Sequence, residues 1–225
     1  MNLKKVLFLL YFIMVALDIY GHISKHYWLV YIFKALEMPL LAYYYYQAKA
    51  PKLEILDKLL LLYLGVSCFG INVSYLFNQN AVLINFITII FIIEGQINLF
   101  ILSKLNSYLG TNNDYDLWRI GVSLIVALGF IYIIFPKFAT ITQVLSMIVM
   151  LQLGLTCIYG LFKKGINMNI SWSIMANILS NILSVSIVFL KPLIYDYLWI
   201  MGLVYISKIL FVEGVLKTSR SLNRL

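Results

Sequence analysis

The sequence predicts an all-α fold: a polytopic integral membrane helical bundle of about eight transmembrane helices, forming a single domain over residues 1–225. Of the 225 residues, 63% are hydrophobic and only 12% are charged, and the mean hydropathy is +0.93. These values lie outside the range of soluble globular domains. Apolar segments of about 20 residues, the length that crosses a hydrocarbon core, follow one another with short breaks. They lack the alternating polarity of barrel strands, so helices are predicted.

Each break between apolar segments carries residues that end helices or form turns. Examples are Asn78-Gln79-Asn80 and Pro136-Lys137. The basic start Lys4-Lys5 resembles a secretory signal, but no small-x-small cleavage site follows, so the first span is predicted to be uncleaved. The predicted spans are 5–21, 27–46, 58–77, 82–102, 117–135, 140–162, 170–190 and 197–216.

The distribution of lysine and arginine predicts that both termini face the cytoplasm. Cytoplasmic loops retain positive charge, and assigning the loops alternately to two sides places 11 basic residues on the side of the termini and 3 on the other. Aromatic residues such as Trp28 and Tyr197 are interpreted as interfacial residues at the outer ends. The expected location is a cell membrane, the bacterial inner membrane.

Composition and motifs argue against several other classes of function. The net charge is +8, but the basic residues are spread over short loops and form no stripe that would bind nucleic acid. Cys68 and Cys157 lie on different predicted helices, so neither a disulfide nor a metal site is indicated. His22 and His26 both fall in the first predicted outer loop, which excludes an intramembrane zinc or Ser-His site. No glycine-rich nucleotide loop is present, and no cofactor is predicted.

Ionisable residues inside the apolar segments are the strongest candidates for function. A charged residue at mid-helix costs about 2.5 to 3.5 kcal/mol on insertion, so each should have a partner or a purpose. Lys34 and Glu37 are three residues apart on one helical face and are predicted to pair. The six residues are Asp18, Lys34, Glu37, Glu94, Lys208 and Glu213.

Depth within the predicted spans groups three of these residues. Glu37, Glu94 and Lys208 lie about ten to twelve residues from the outer ends, near the midplane, which predicts a shared polar pocket. An ion-pair network that only fixes helix packing remains the alternative. Asp18 and Glu213 lie near helix ends, where water or snorkelling could satisfy them, and both are interpreted as structural.

A proline adds a further polar group to the second predicted span. Pro39 should kink the second span and free the carbonyl group of Ala35 from its helical hydrogen bond.

Five segments, at residues 33–41, 63–77, 94–103, 177–185 and 205–210, resemble those of the YhhN-like membrane proteins, which include lysoplasmalogenases. Residues 33–41 resemble the Lys-Pro segment of the family's second span, with Ala35 where its proline usually stands. Residues 63–77 resemble the third-span Ser-x-x-Gly-Asp block, with Ile71 in place of the aspartate. Residues 94–103 resemble the fourth-span segment but lack its histidine.

The resemblance continues in the last two spans. Residues 177–185 resemble the seventh-span Ser-Asp block, with Ser180 kept and Asn181 in place of the aspartate. Residues 205–210 resemble the closing Tyr-x-Ala-Gln-x-Leu motif, with Lys208 in place of glutamine.

The resemblance implies eight spans and hydrolysis of the vinyl ether bond of lysoplasmalogens within the membrane. This reaction needs a proton donor to the double-bond carbon and an activated water, roles that carboxyl groups can fill. Since both family aspartates are replaced, the expected catalytic residues are Glu37 and Glu94. The expected substrate-binding residues are Lys34, Lys208, Ser180 and Asn181, and the expected partner is a membrane lipid or lysolipid.

Three alternatives remain open from the sequence. The chain could be a catalytically degenerate, lipid-binding relative of this family, because the aspartates are missing. It could be a small-solute transporter with a charged site at the midplane. It could also be a non-catalytic membrane assembly protein whose charges only hold helices together.

Overall fold

The computed structural model describes residues 3–49, 54–76, 81–109, 140–162, 166–189 and 196–222, and every structural statement below concerns these residues. They form seven α-helices and no strand, which confirms the all-α prediction. The helices are α1 (Leu3–Ile23), α2 (Tyr27–Lys49), α3 (Ile55–Leu76), α4 (Ala81–Leu109), α5 (Thr140–Cys157), α6 (Met168–Phe189) and α7 (Asp196–Leu222). A π-helical turn, Ile158–Phe162, extends α5. The predicted span 117–135 lies outside the described residues, and each of the other seven predicted spans coincides with a helix.

Five of the described helical segments are long and apolar enough to cross a membrane. Many of their large hydrophobic side chains are exposed, for example Leu9, Phe69 and Leu151, as expected where the surrounding solvent is lipid. The segments are Leu3–Ile23, Ile55–Val73, Asn85–Ser107, Gln143–Leu161 and Asp196–Ser219. Several helices of this kind in one chain are the hallmark of a polytopic membrane protein.

Two pairs of contacts define how α1 and α7 run relative to each other. The hydroxyl group of Tyr11 donates to the carbonyl oxygen of Tyr205 at 3.1 Å. Seven residues further along α1, Asp18 accepts a hydrogen bond from Tyr197, eight residues earlier on α7. The two helices are therefore antiparallel, and the beginning of α1 lies at the same end of the bundle as the last turns of α7.

Helices α4 and α5 run parallel to each other. Gln152 donates to the carbonyl oxygen of Ile92 at 2.9 Å, and Asn106 donates to that of Tyr159 at 3.0 Å, so the residue numbers rise together along the pair. The end of α4 and the beginning of α5 consequently lie at opposite ends of the bundle.

The carboxylate of Asp57 fixes the connection between α2 and α3. It accepts hydrogen bonds from the backbone N–H of Glu54 at 2.9 Å, from the Tyr45 hydroxyl and from the Lys49 ammonium. Nearby, Lys4 donates to the carbonyl oxygen of Ala48 at 3.2 Å. Three helix ends are thus joined by polar contacts at one end of the bundle.

Helix α2 continues through Pro39, and the carbonyl group that this proline frees has a partner. The thiol of Cys68 on α3 lies 3.8 Å from the carbonyl oxygen of Ala35, the residue four positions before the proline. The contact also places Ala35 of α2 at the level of Cys68 of α3.

Close packing of α6 against α7 depends on Gly214. A Cβ atom at this position would lie 2.5 Å from Cγ1 of Ile170 and 3.0 Å from its backbone nitrogen, whereas a Cβ atom at Gly202 would meet nothing within 4 Å. In a helix, alanine is favoured over glycine by about 1 kcal/mol, but overpacking costs about 1 to 3 kcal/mol. We therefore expect Gly214→Ala to lower the thermal unfolding temperature of the detergent-solubilised protein and the matched Gly202→Ala to preserve or raise it. Equal effects of both substitutions would contradict this packing.

Candidate functional site

Two polar clusters lie in the interior of the bundle, and α7 contributes to both. The first, called the Asp18 cluster, contains Asp18 of α1, Lys34 and Glu37 of α2, and Tyr197 and Tyr205 of α7. The second, called the Glu94 cluster, contains Tyr63 and Ser67 of α3, Glu94 of α4 and Lys208 of α7. Tyr205 and Lys208 are three residues apart, so one turn of α7 joins the two clusters.

Asp18 is the acceptor at the centre of its cluster. Its side chain is fully buried, and its Oδ2 atom accepts hydrogen bonds from the hydroxyl groups of Tyr205 at 2.8 Å and Tyr197 at 3.0 Å. The ammonium nitrogen of Lys34 lies 3.7 Å from the same oxygen and also donates to the Tyr197 hydroxyl. Charge and hydrogen bonding of this aspartate are thus both satisfied, as a buried carboxylate requires.

The arrangement around Asp18 corrects two predictions. Lys34 forms its ion pair with Asp18 rather than with Glu37. Side chains on a helix lean toward its N-terminal end, which carries the Lys34 ammonium toward the α1–α2 connection, where Asp18 lies. The prediction that Asp18 is satisfied by water at a helix end is also wrong, because α1 continues to Ile23 and buries the aspartate against α7.

Glu37 differs from Asp18 in having no partner. The residue is fully buried, and neither carboxylate oxygen has a hydrogen-bond partner among the described residues. The Tyr205 hydroxyl lies close to it, but the single proton of that hydroxyl is donated to Asp18. Asp18 and Lys34 are the other charges that act on Glu37. Glu37 is therefore the acidic side chain of this cluster that has no hydrogen-bond partner among the described residues.

His22 extends the Asp18 cluster toward the end of the bundle. It was predicted to lie in an outer loop, but it occupies the last turn of α1. Its ring stacks on that of Tyr197, with centroids 3.6 Å apart and planes 8° from parallel. The interpretation of Tyr197 as a purely interfacial aromatic residue is thus incomplete, because its hydroxyl group bonds to Asp18.

The Glu94 cluster is a closed ion-pair network. Lys208 is buried and forms an ion pair with Glu94, and it donates to the Tyr63 hydroxyl at 2.8 Å and to the Ser67 hydroxyl at 2.9 Å. An ammonium group has three protons, and each has an acceptor here. Its nitrogen also lies 4.3 Å from the centroid of the Tyr63 ring, within cation-π distance.

The two clusters lie at a similar depth but do not form one pocket. Ser67 contacts Lys208, and the next residue, Cys68, contacts Ala35 of α2, two residues from Glu37. The prediction of a single pocket shared by Glu37, Glu94 and Lys208 is wrong, because Glu94 and Lys208 bind each other and Glu37 belongs to the Asp18 cluster.

The remaining candidates lie apart from both clusters. Ser180 is buried on α6 and donates to the carbonyl oxygen of Asn177 at 3.0 Å. No hydrogen bond among the described residues joins its side chain to either cluster, and Asn181 is exposed. Ile71 is buried in the apolar core. Glu213, interpreted as structural, accepts a hydrogen bond from Tyr44. The positions that match the family aspartates therefore supply no acid.

Three tyrosines of the two clusters were not predicted as site residues from the sequence: Tyr63, Tyr197 and Tyr205. Tyrosine is common at membrane interfaces, which hides a buried hydroxyl group among many interfacial ones. For Tyr63 and Ser67 a signal was present, because residues four apart on one helix share a face.

No group of three or more histidine, cysteine, aspartate or glutamate residues in the described part of the chain is arranged to hold a metal ion. Comparisons of the chain with protein-family models, with curated proteins and with solved structures give no match in any of the three.

Proposed function

We propose that this chain is an eight-span membrane protein with both termini in the cytoplasm, which acts on a lysolipid as the YhhN-like lysoplasmalogenases that it resembles do. In this proposal Glu37 is the proton donor, and the bacterial inner membrane is the location. The observation that carries the proposal is the fully buried carboxyl group of Glu37, which has no hydrogen-bond partner in the described residues.

The course of the helices supports the number of spans and the placement of both termini on one side of the membrane. The antiparallel pair α1 and α7 places the first and last described helix ends on one side. The parallel pair α4 and α5 is the arrangement that an additional crossing between them, such as the predicted span 117–135, would produce. Seven described helices and one further crossing make eight, an even number, which fits two termini on one side.

The chemistry of vinyl ether cleavage assigns a role to an unpaired acid. A proton is added to the double-bond carbon, water attacks the resulting cation, and the hemiacetal breaks down to a fatty aldehyde and an alcohol. A carboxyl group held away from water can donate this proton. Glu94 is less suited to the role because its carboxylate is bound by Lys208, so in this proposal it is a structural residue.

A direct assay tests the proposed reaction. Purified protein in detergent is incubated with lysoplasmalogen, and the release of fatty aldehyde is followed. We expect Glu37→Gln to reduce the rate by about 100-fold or more, the usual contribution of a general acid. The matched control Glu54→Gln makes the same chemical change at an exposed residue and should leave the rate unchanged. Equal rates in the wild type and Glu37→Gln would contradict the role of Glu37.

A catalytically degenerate lipid-binding protein is the second candidate. It is favoured by the residues at the two positions of the family aspartates, where Ile71 is buried in the apolar core and Asn181 is exposed. Under this candidate, folded wild-type protein releases no aldehyde but is stabilised by added lysolipid, because a ligand that binds only the folded state raises its unfolding temperature.

A further inference from the structure

A hydrogen-bonded chain leads from the end of the bundle at the α1–α2 connection to the neighbourhood of Glu37. It begins at Lys34, which donates to Tyr197, and Tyr197 donates to Asp18 at 3.0 Å. Asp18 accepts a second bond from Tyr205 at 2.8 Å, and the Tyr205 hydroxyl lies next to Glu37. Tyr197 and Tyr205 are eight residues apart on α7 but donate to the same oxygen of Asp18, so this carboxylate joins their two hydroxyl groups.

Tyr197 is the least buried member of this chain. Tyr197 is half-buried in the first turn of α7 and stacks on His22, which is also half-buried. By contrast, Asp18 and Glu37 are 0% exposed and Tyr205 is 1% exposed. Tyr197 is thus the member of this route that lies nearest to the surface of the described part of the bundle.

The burial of Glu37 favours the binding of a proton to its carboxylate. A buried carboxylate without a partner is far more costly than the neutral acid, so such a group binds a proton. The titratable groups that face it from the helices around it are Tyr11 and Asp18 of α1, Lys34 of α2, Cys68 of α3 and Tyr205 of α7. Among them, the charge of Lys34 is matched by Asp18.

We infer that Glu37 carries a proton in the folded protein and exchanges it with the α1–α2 end of the bundle through Tyr205, Asp18 and Tyr197. The inference deepens the proposed role of Glu37 and rests on it for its purpose, because a proton donor inside a bundle must be recharged after each turnover. Tyr197, Asp18 and Tyr205 are positioning and relay residues and do not touch the reacting atoms.

Recharging of Glu37 proceeds by proton shifts that leave every relay group as it began. An incoming proton binds the Tyr197 oxygen while Tyr197 passes its own proton to Asp18. Tyr205 turns its hydroxyl group from Asp18 to ionised Glu37 and gives up its proton there. The Tyr205 oxygen then takes the proton from Asp18. One proton has been added to Glu37, and Asp18 is again a carboxylate that accepts two hydrogen bonds.

Infrared spectroscopy of the full chain in detergent tests both parts of this inference. Near neutral pH the wild type should show the carbonyl stretch of a protonated carboxyl group, and Glu37→Gln should remove it. On transfer to D₂O, this band shifts as the proton is replaced. We expect Tyr197→Phe and Asp18→Asn to slow the shift by about 100-fold, the low end of what a positioned proton-transfer group contributes. The matched control Tyr20→Phe, at an exposed residue of α1, should leave the rate unchanged.

The possible outcomes separate this inference from the proposed function. A wild-type spectrum without a carboxyl band that depends on Glu37 would overturn the inference entirely. A Glu37 band that exchanges equally fast in the wild type, Tyr197→Phe and Asp18→Asn would overturn the route. A band with the expected exchange behaviour in a protein that releases no aldehyde would support the inference and remove the proposed hydrolysis. Thermal unfolding of each variant shows that it is folded, and Tyr205→Phe is the substitute if Asp18→Asn does not fold.

Discussion

Replacing Lys208 with methionine should lower the free energy of unfolding by about 3 to 5 kcal/mol, the cost of removing one partner from a buried ion pair. The substitution leaves the Glu94 carboxylate buried, at 8% exposure, without its cation. It also removes the donor to Tyr63 and Ser67, so contacts among α3, α4 and α7 are lost together. Unfolding of the detergent-solubilised protein by heat or by a denaturing detergent measures the effect.

The double variant Lys208→Met, Glu94→Gln is the control for this experiment. It removes both charges while keeping a polar group that can bond to Tyr63 or Ser67. Because residues in one network are coupled, the double variant should be more stable than Lys208→Met alone. The single variants Lys208→Met and Glu94→Gln complete the comparison. If the double variant loses as much free energy of unfolding as these two variants lose in sum, the two residues are not coupled.

Replacing Glu37 with methionine should have the opposite sign and raise the free energy of unfolding by about 1 to 3 kcal/mol, the cost of a buried polar group without a partner. Methionine has a similar length, and the position is fully buried. The same variant should lose aldehyde release under the proposed function. A gain in stability together with a loss of activity is typical of residues kept for chemistry rather than for folding.

Glu37→Gln provides the comparison for this second experiment. Its amide group remains polar and buried, so the gain in stability should be smaller than that of Glu37→Met. Destabilisation by Glu37→Met of the size expected for Lys208→Met would mean that the carboxyl group has a partner, which contradicts the geometry on which the proton site rests.

The sequence predicts a height for each charged residue, but it does not identify the partners that these residues meet. Counting residues from the ends of a span gives height, because a helix rises by about 1.5 Å per residue. Which groups meet depends on which helices are neighbours. Lys208 meets Glu94 across 114 residues of sequence, and Asp18 meets Tyr197 across 179, separations that carry no local pattern.

Asp18 shows a second limit of sequence interpretation. A charged residue near the end of an apolar segment is usually satisfied by water or by snorkelling, and this rule led to a structural assignment. In the structure, α1 extends two residues past the predicted end, and two tyrosine hydroxyl groups of α7 take the place of water. Hydroxyl groups inside a bundle are hard to predict because tyrosine suits both the interface and the interior.

The structure changes the reasons for considering Glu37 and Glu94 as candidate residues. Glu37 was selected because of its depth and its predicted pairing with Lys34. In the structure Lys34 pairs with Asp18, and the Glu37 carboxyl group has no hydrogen-bond partner among the described residues. Glu94, selected by the same rule of depth, is neutralised by Lys208 and loses that candidacy.

The contribution of α7 to both clusters has a consequence for how the protein is made. Ribosomes deliver α1 and α4 to the membrane before α7, so Asp18 and Glu94 enter it before Tyr197, Tyr205 and Lys208 have been synthesised. Until then Asp18 can pair only with Lys34 of α2, and Glu94 lacks the cation with which it forms its ion pair. Stable assembly is thereby tied to the arrival of α7, and an intermediate that lacks this helix would present uncompensated charge to the quality-control machinery of the membrane.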